Sequence, residues 1–448
     1  MQKVVGRHEA LRTTISRSEP VQLIHPMLES DVELIDLTHL TAPARDSAVT
    51  EWLSQQAKMP FDLSEGPLMR TFVLKVEEER HLLAIDVHHI ISDGWSMGVI
   101  LSELTALYNA ECQGLIAQLE VPHTNREFIE WQANLHQSKA LATQEAYWLD
   151  QFRAGFPVAH LPTDYPRSLD VSHRGGRYSA RFDAKCTRQI KQMARAHKST
   201  LFMTLLSGYG LLLHRLTGQE ELVIGTPTAG RTFDHSKRVI GYCTHFLPIR
   251  SRLVGNPTVS EYLMTLKKTI LAAYDHQDYP FARLLSKLNR QKEYPLITTV
   301  FNLDRSVSAP NLFELQSEFL PTPANFALVD FRLDVIEIDG KLWLDYDYRT
   351  DLFERKTIER WHHDFQTLLK EMIANPQQHI LDFRFSRSVP EASHRFFLLE
   401  ASHRFSRRSL RLRTDFREAH QRLRTDFPEG RSSGRLRTDF RFFATRKK

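Results

Sequence analysis

The clearest hydrophobic pattern in the chain lies between residues 70 and 108. Arg70–Val76 is rich in β-branched and aromatic residues and predicts a strand. His81–Val87 is a near-continuous apolar run, as expected of a strand buried on both faces. The charged run Glu77–Arg80 between them predicts a turn. Beyond Asp93-Gly94 the apolar positions fall at Met97, Ile100, Leu101, Leu104, Leu107 and Tyr108, the spacing of one helix face. His88-His89-Ile90-Ile91-Ser92-Asp93-Gly94 therefore joins the end of a buried strand to the start of a helix.

Elsewhere the same periodicities predict helices over Gln144–Arg153, Thr200–Leu216, Thr258–Tyr274 and Leu352–Ile373. Strands are predicted over Glu221–Thr226, Leu296–Asn302 and Leu333–Tyr348, the last turning at Gly340. Leu161–Arg167 carries two prolines and makes a domain boundary. Strands interleaved with helices on both sides of it predict an α/β protein of two lobes, 1–165 and 166–383. Residues 384–448 break the pattern. Arg-Leu-Arg-Thr-Asp-Phe recurs at 411–416, 422–427 and 435–440, and Ala-Ser-His-Arg-Phe at 392–396 and 401–405. The spacing is too uneven for a solenoid, and so few aliphatic residues cannot offset the entropy of ordering, so this tail is expected to be disordered.

Charge sharpens that division. Of the 59 lysines and arginines, 18 lie after residue 383 with only 7 acids, which leaves 41 basic and 47 acidic residues in 1–383. The net +5 comes from the tail, so a nucleic-acid role would rest on weak, salt-sensitive contacts of that tail alone. No apolar run is long enough to span a membrane, and the N-terminus lacks the apolar core of a signal peptide. Three scattered cysteines point to a reducing, cytoplasmic setting, with neither a disulfide framework nor a metal site.

The chemistry concentrates in residues 88–94. A histidine can take and return a proton near neutral pH, a helix N-terminus favours a developing oxyanion, and a glycine lets backbone approach a ligand. Four further segments accompany it: Arg7–Thr13, Asn125–Trp131, Ile240–Arg250 and His276–Phe281. Together, over about residues 1–383, these five resemble in order the HHxxxDG and accompanying motifs of condensation domains of nonribosomal peptide synthetases, a family similar to chloramphenicol acetyltransferase. Asn125 and Glu127 depart from the family's YxDFxxW pattern, and Thr244-His245 departs from its usual Asn-Thr.

The resemblance implies two chloramphenicol-acetyltransferase-like lobes in a V, with carrier proteins docking at each mouth of a tunnel. It implies amide-bond formation between an acyl or peptidyl thioester and the amine of an aminoacyl thioester. Both would be tethered to phosphopantetheine on partner carriers, loaded by adenylation domains, with no cofactor bound by the chain itself. His89 would contact the attacking amine, as a base or by positioning it. His88 would support the loop, Gly94 would bring its N–H towards the tetrahedral intermediate, and Asp93 would pair with Arg231 of the second lobe. Arg7 and Arg12 are candidate supports of the loop, or plain helix-surface arginines. His245 is a candidate tunnel-lining residue, with a core or surface position as the alternative.

Relative to the family, an opening motif with its strand and helix is missing before Arg7. The first lobe is accordingly expected to be incomplete, with an exposed strand edge, and the isolated chain poorly soluble or inactive. Two alternatives accompany the amide-forming reading: a stand-alone O- or N-acyltransferase of the same superfamily, and an inactive synthetase fragment.

Overall fold

A computed structural model describes all residues except 20, 169–171, 234–235, 289–296, 305–308, 321–325, 339, 384–436 and 447–448. The first lobe runs through α1 (Gln2–Arg7), β1 (Thr13–Ile15), β2 (Gln22–Ile24), β3 (Val32–Asp36), α2 (Ala42–Gln56), β4 (Met69–Glu77), β5 (Arg80–His88), α3 (Gly94–Cys112), α4 (Asn125–His136) and α5 (Lys139–Gln151). The second contains β6 (Gly175–Phe182), α6 (Ala184–Ala196), α7 (Leu201–Thr217), β7 (Glu221–Thr228), β8 (His245–Arg252), α8 (Val259–Asp275), α9 (Phe281–Lys287) and β9 (Thr299–Asp304). It continues through β10 (Leu315–Phe319), β11 (Phe331–Ile338), β12 (Lys341–Arg349) and α10 (Arg355–Ala374); the last strand is β13 (Arg437–Arg446). Among the described residues no helix is long and apolar enough to cross a membrane.

Two sheets organise the lobes. The first has the order β10-β13-β5-β4-β3, the second β6-β12-β11-β9-β7-β8. The expected hairpin is β4–β5, antiparallel from Met69↔Val87 to Glu77↔Arg80. The run of Leu82, Ala84, Ile85 and Val87 is buried as its pattern requires. In the second lobe the pairing of β11 with β12 turns around Gly340, whose φ of +71° suits a glycine. The apolar helix α7 contributes Leu205, Leu206, Tyr209, Leu211, Leu212 and Leu213, all buried. Its N-terminus is capped by Thr200 and its C-terminus by Gly218 in the left-handed region.

Two strands cross the expected division. β10 lies in the second-lobe stretch of sequence, yet it belongs to the first sheet. It is tied there by β13, which pairs antiparallel with β10 (Leu315↔Arg446 to Phe319↔Phe442) and with β5 (Arg437↔His88 to Thr445↔Arg80). This corrects the expectation of disorder for residues 437–446. The local run Thr-Asp-Phe-Arg-Phe-Phe-Ala-Thr is rich in aromatic and β-branched residues, a strand signal that the arginine-rich composition around it masks. β5 is thus paired on both sides, with β4 and with β13. Ala444 packs against the first-lobe core with Leu315 and Phe319. The rest of the tail lies outside the described residues.

Candidate functional site

β5 delivers His88 and His89 to the end of the first sheet, and the chain then turns. The Ile91 N–H donates to the His88 carbonyl at 3.1 Å, and the Ser92 N–H to that of His89 at 3.4 Å. Asp93 ends the turn as the N-cap of α3, accepting from the Ser96 N–H at 2.8 Å. Gly94 is thus the first residue of the helix, where backbone N–H groups have no intrahelical acceptor and the helix dipole is positive.

The two histidines do different things. His88 is 4% exposed, and its Nδ1 accepts the Ile90 N–H at 3.0 Å. Its ring stands edge-on to Phe61 at 5.8 Å. Through that bond it braces the turn. His89 is half-buried, and its Nδ1 lies 3.1 Å from the Ser92 carbonyl oxygen. A carbonyl can only accept, so Nδ1 carries the hydrogen and in the neutral ring the basic lone pair sits on Nε2. That is the tautomer an amine-activating imidazole needs. At Gly94, which is exposed, no heavy atom beyond its chain neighbours and its own helix backbone lies within 4 Å of where a Cβ would stand. The glycine therefore relieves no clash within the protein; it keeps space open at a helix N-terminus.

Asp93 points away from this space, into a bond network between the lobes. Arg231 Nη1 donates to Asp93 Oδ2 at 2.7 Å and Arg231 Nη2 to Asp93 Oδ1 at 3.0 Å, with both side chains almost fully buried. Arg231 also donates to the Ala229 and Val239 carbonyls, at 3.0 and 3.2 Å, and its guanidinium lies 5.6 Å from the Trp95 ring centre. Asp93 Oδ2 accepts the Cys243 N–H at 3.1 Å. Ser96 Oγ accepts the Gly241 N–H at 3.1 Å, and its one hydrogen faces Asp93 Oδ1 at 2.7 Å and the Gly241 carbonyl at 3.0 Å. Trp95 Nε1 donates to the Lys237 carbonyl at 2.9 Å. The first turn of α3 is bolted to residues 231–243 of the second lobe.

The other motifs converge on the same junction. On α4, Phe128 and Trp131 stack with Phe233, and Phe128 packs with Val239 and Cys243. A Cβ on Gly241 would stand 2.3 Å from the Asn125 amide oxygen, so a side chain there would have to turn the Asn125 amide aside. In the His276–Phe281 segment, Tyr279 donates to Glu145 at 2.7 Å, the His276 ring stacks on Tyr147 at 4.0 Å, and Trp148 donates to the His276 carbonyl at 2.8 Å. These contacts fasten α5 to the second lobe. Burial pushes the Cys243 thiol up to about 12, so it is no nucleophile.

Arg7 and Arg12 make their bonds elsewhere. Arg7 pairs with Glu103 at 2.9 Å, holding α1 to α3, and Arg12, just before β1, donates to the carbonyls of His25 and Pro26, just after β2. Neither set of bonds reaches residues 88–94. The His245 side chain is 9% exposed, 4.0 Å from Asp278 and against Gly230, whose φ of +61° and close packing admit no side chain. Burial lowers the His245 pKa and the Asp278 charge opposes this. Three residues of the junction, Ser96, Trp95 and Tyr242, do not stand out in the sequence. An N-cap Asp followed three residues later by Ser signals the first; the others carry no local signal. Among the described residues no cluster could hold a metal ion.

The condensation-domain family model matches residues 1–389. One of the linear gramicidin synthase proteins of Brevibacillus parabrevis is 35% identical over 390 residues, which covers 85% of this chain and 5% of that protein. Bacitracin synthase 3 of Bacillus licheniformis is 35% identical over 379 residues, 83% of this chain and 6% of that one. The chain thus spans a small part of these relatives' length. Two solved structures share the fold: the X-domain from teicoplanin biosynthesis (TM-score 0.76, 22% identity, 86% of this chain and 88% of that one) and the first condensation domain of the calcium-dependent antibiotic synthetase (TM-score 0.73, 16% identity, 86% and 89%).

Proposed function

From the premise that this chain belongs to the condensation-domain family of nonribosomal peptide synthetases, we propose that it forms an amide bond between two carrier-tethered thioesters. The amine of the acceptor attacks the donor thioester carbonyl. The C–N bond forms, the C–S bond breaks, the amine loses a proton, and the donor's phosphopantetheine leaves as a thiol. The observation that carries this reading is the His89–Gly94 turn. It holds one imidazole with its lone pair on Nε2, beside helix N–H groups at a position without a side chain.

His89 would receive the amine's proton or hold the amine in line. A free α-amino group titrates near pH 7.7–8.0, so partial neutralisation near pH 7 is within an imidazole's reach. The first-turn amides of α3 at Gly94 would face the oxyanion of the tetrahedral intermediate. Arg231 and Asp93 would act at one remove, by fixing where α3 starts. No cofactor is required, since the phosphopantetheine arms belong to partner carriers. The relatives are multidomain synthetases, which supports carrier and adenylation domains as partners.

The test mixes the chain with one carrier loaded with an acyl-aminoacyl group and a second loaded with an aminoacyl group, and follows both by intact mass. The extended chain is expected on the acceptor carrier. Donor hydrolysis without acceptor extension would contradict the reading, and acyl transfer to a free alcohol or amine alone would favour the stand-alone acyltransferase.

A further inference from the structure

We propose that Tyr242 is a positioning residue for His89, so that a side chain of the second lobe sets the ring plane of the first lobe's base. The proposal rests on the amide-forming reading and extends it.

The Tyr242 ring stands 6.1 Å from the His89 ring, centre to centre, at 79°. Perpendicular aromatic pairs at this separation are attractive beyond the area they bury. The backbone on either side of Tyr242 is held to the first turn of α3: the Gly241 N–H donates to Ser96 Oγ, and the Cys243 N–H donates to Asp93. Gly241 and Cys243 are buried, whereas Tyr242 between them is 52% exposed. A large ring is thus turned out of the core at a fixed point, and its neighbour there is the catalytic imidazole.

The contact supplies something the Ser92 bond does not. The hydrogen bond at Nδ1 tethers one atom of the His89 ring. A hydrogen bond at one ring atom does not by itself set a ring plane. A perpendicular neighbour restricts that plane, and misplacement of a reacting group by about 1 Å can cost up to roughly a hundredfold in rate. The bond network of Asp93, Ser96 and Arg231 thereby acquires a use beyond stability: it carries Tyr242 to the base. Burial and the Asp93 charge raise the phenol's pKa, so the ring stays neutral at working pH.

The experiment uses the full chain with Tyr242→Leu and Tyr242→Phe, and two readouts. The first is the His89 ring resonance in ¹³C-histidine-labelled protein, assigned by its loss in His89→Ala. The second is amide formation against acceptor concentration, with aminoacyl N-acetylcysteamine thioesters as acceptor. Tyr242→Leu is expected to move the His89 resonance by removing the ring current, and to lower kcat by about 3- to 10-fold with little change in acceptor KM. Tyr242→Phe, which keeps the ring, is expected to restore both. An unmoved resonance, an unchanged kcat, or an effect on KM alone would each overturn the proposal. If His89→Ala leaves turnover intact, the amide-forming role of His89 fails instead. The resonance needs no turnover and still decides whether Tyr242 holds the ring.

Discussion

Replacing Arg231 with Met should loosen the junction between the lobes at the first turn of α3. The side chains of Arg231 and Asp93 are 3% and 2% exposed, so the ion pair is screened little by water. Removing one partner of such a pair costs about 3–5 kcal/mol, because the remaining charge stays buried. Asp93 would keep its backbone donors, the N–H groups of Ser96 and Cys243, which places the loss near the lower end, about 3 kcal/mol. Asp93→Ala should be worse. It strands a guanidinium against carbonyls and removes the helix cap, for about 1 kcal/mol more. Hydrogen exchange at the Ser96 and Cys243 amides reads local opening without assuming that the whole chain unfolds in one step. Arg231→Met should speed their exchange by roughly a hundredfold, the equivalent of about 3 kcal/mol. The Asp93→Ala/Arg231→Met double variant should be less destabilised than the sum of the singles, by about 2 kcal/mol. Additive effects, or acceleration below about threefold, would refute the junction as the holder of the loop.

Three further outcomes follow from particular residues. Gly94→Ala should fold as stably as the parent, since its Cβ meets no atom within 4 Å beyond its chain neighbours and its own helix backbone, while slowing amide formation at least about tenfold by entering the space left for substrate; equal turnover would show that this space is not used. Burial holds the imidazoles of His214 and His362 down to about 4, against an ordinary 6.5. The unfolded chain therefore takes up protons that the folded chain refuses. Their contribution to stability is fully present only above pH 6.5 and declines as the pH falls towards 4, by roughly 3 to 4 kcal/mol between pH 7 and 5 for the pair, while Asp304, whose carboxyl burial raises to about 6, acts in the opposite direction. Urea unfolding of the parent and of His214→Asn at the two pH values isolates one of the two histidines, and the variant should lose about 2 kcal/mol less than the parent between pH 7 and 5. Ala444→Pro places a residue without an N–H in the middle of β13, between β5 and β10. Amide protection should fall along Arg80–His88 and Leu315–Phe319 but not in β11 or β12, and unchanged protection would mean that β13 does not hold that seat.

Much of the site could be read in the residues because its signals are local. The apolar run Leu82–Val87, the N-cap Asp93 and the helical spacing from Met97 to Tyr108 each act within one turn or one strand, and they place His88–Gly94 without tertiary information. The Asp93–Arg231 pair follows only from family resemblance, since nothing within either segment points to the other. What stays hidden depends on contacts far apart in sequence. Ser96 reaches Gly241 across 145 positions, and Tyr242 meets His89 only because those bonds fix its backbone. The strand at 437–446 is hidden differently: its aromatic and β-branched run is short, lies in arginine-rich surroundings, and gains its partners from residues 80–88 and 315–319. Arg7 and Arg12 suggest loop supports by their place in a motif. Their bonds to Glu103, His25 and Pro26 show how a motif can mark packing as readily as chemistry.

The assignment of His89 is tested most directly by single-turnover amide formation with both carriers loaded, comparing the parent chain with His89→Ala and His88→Ala. The His89→Ala chain is expected to keep its fold and lose about 10²–10⁴-fold in rate, the range of a positioned acid–base group. His88→Ala should lose rate together with stability, since His88 Nδ1 braces the turn through the Ile90 N–H. Amide formation by His89→Ala at the parent rate would contradict the account.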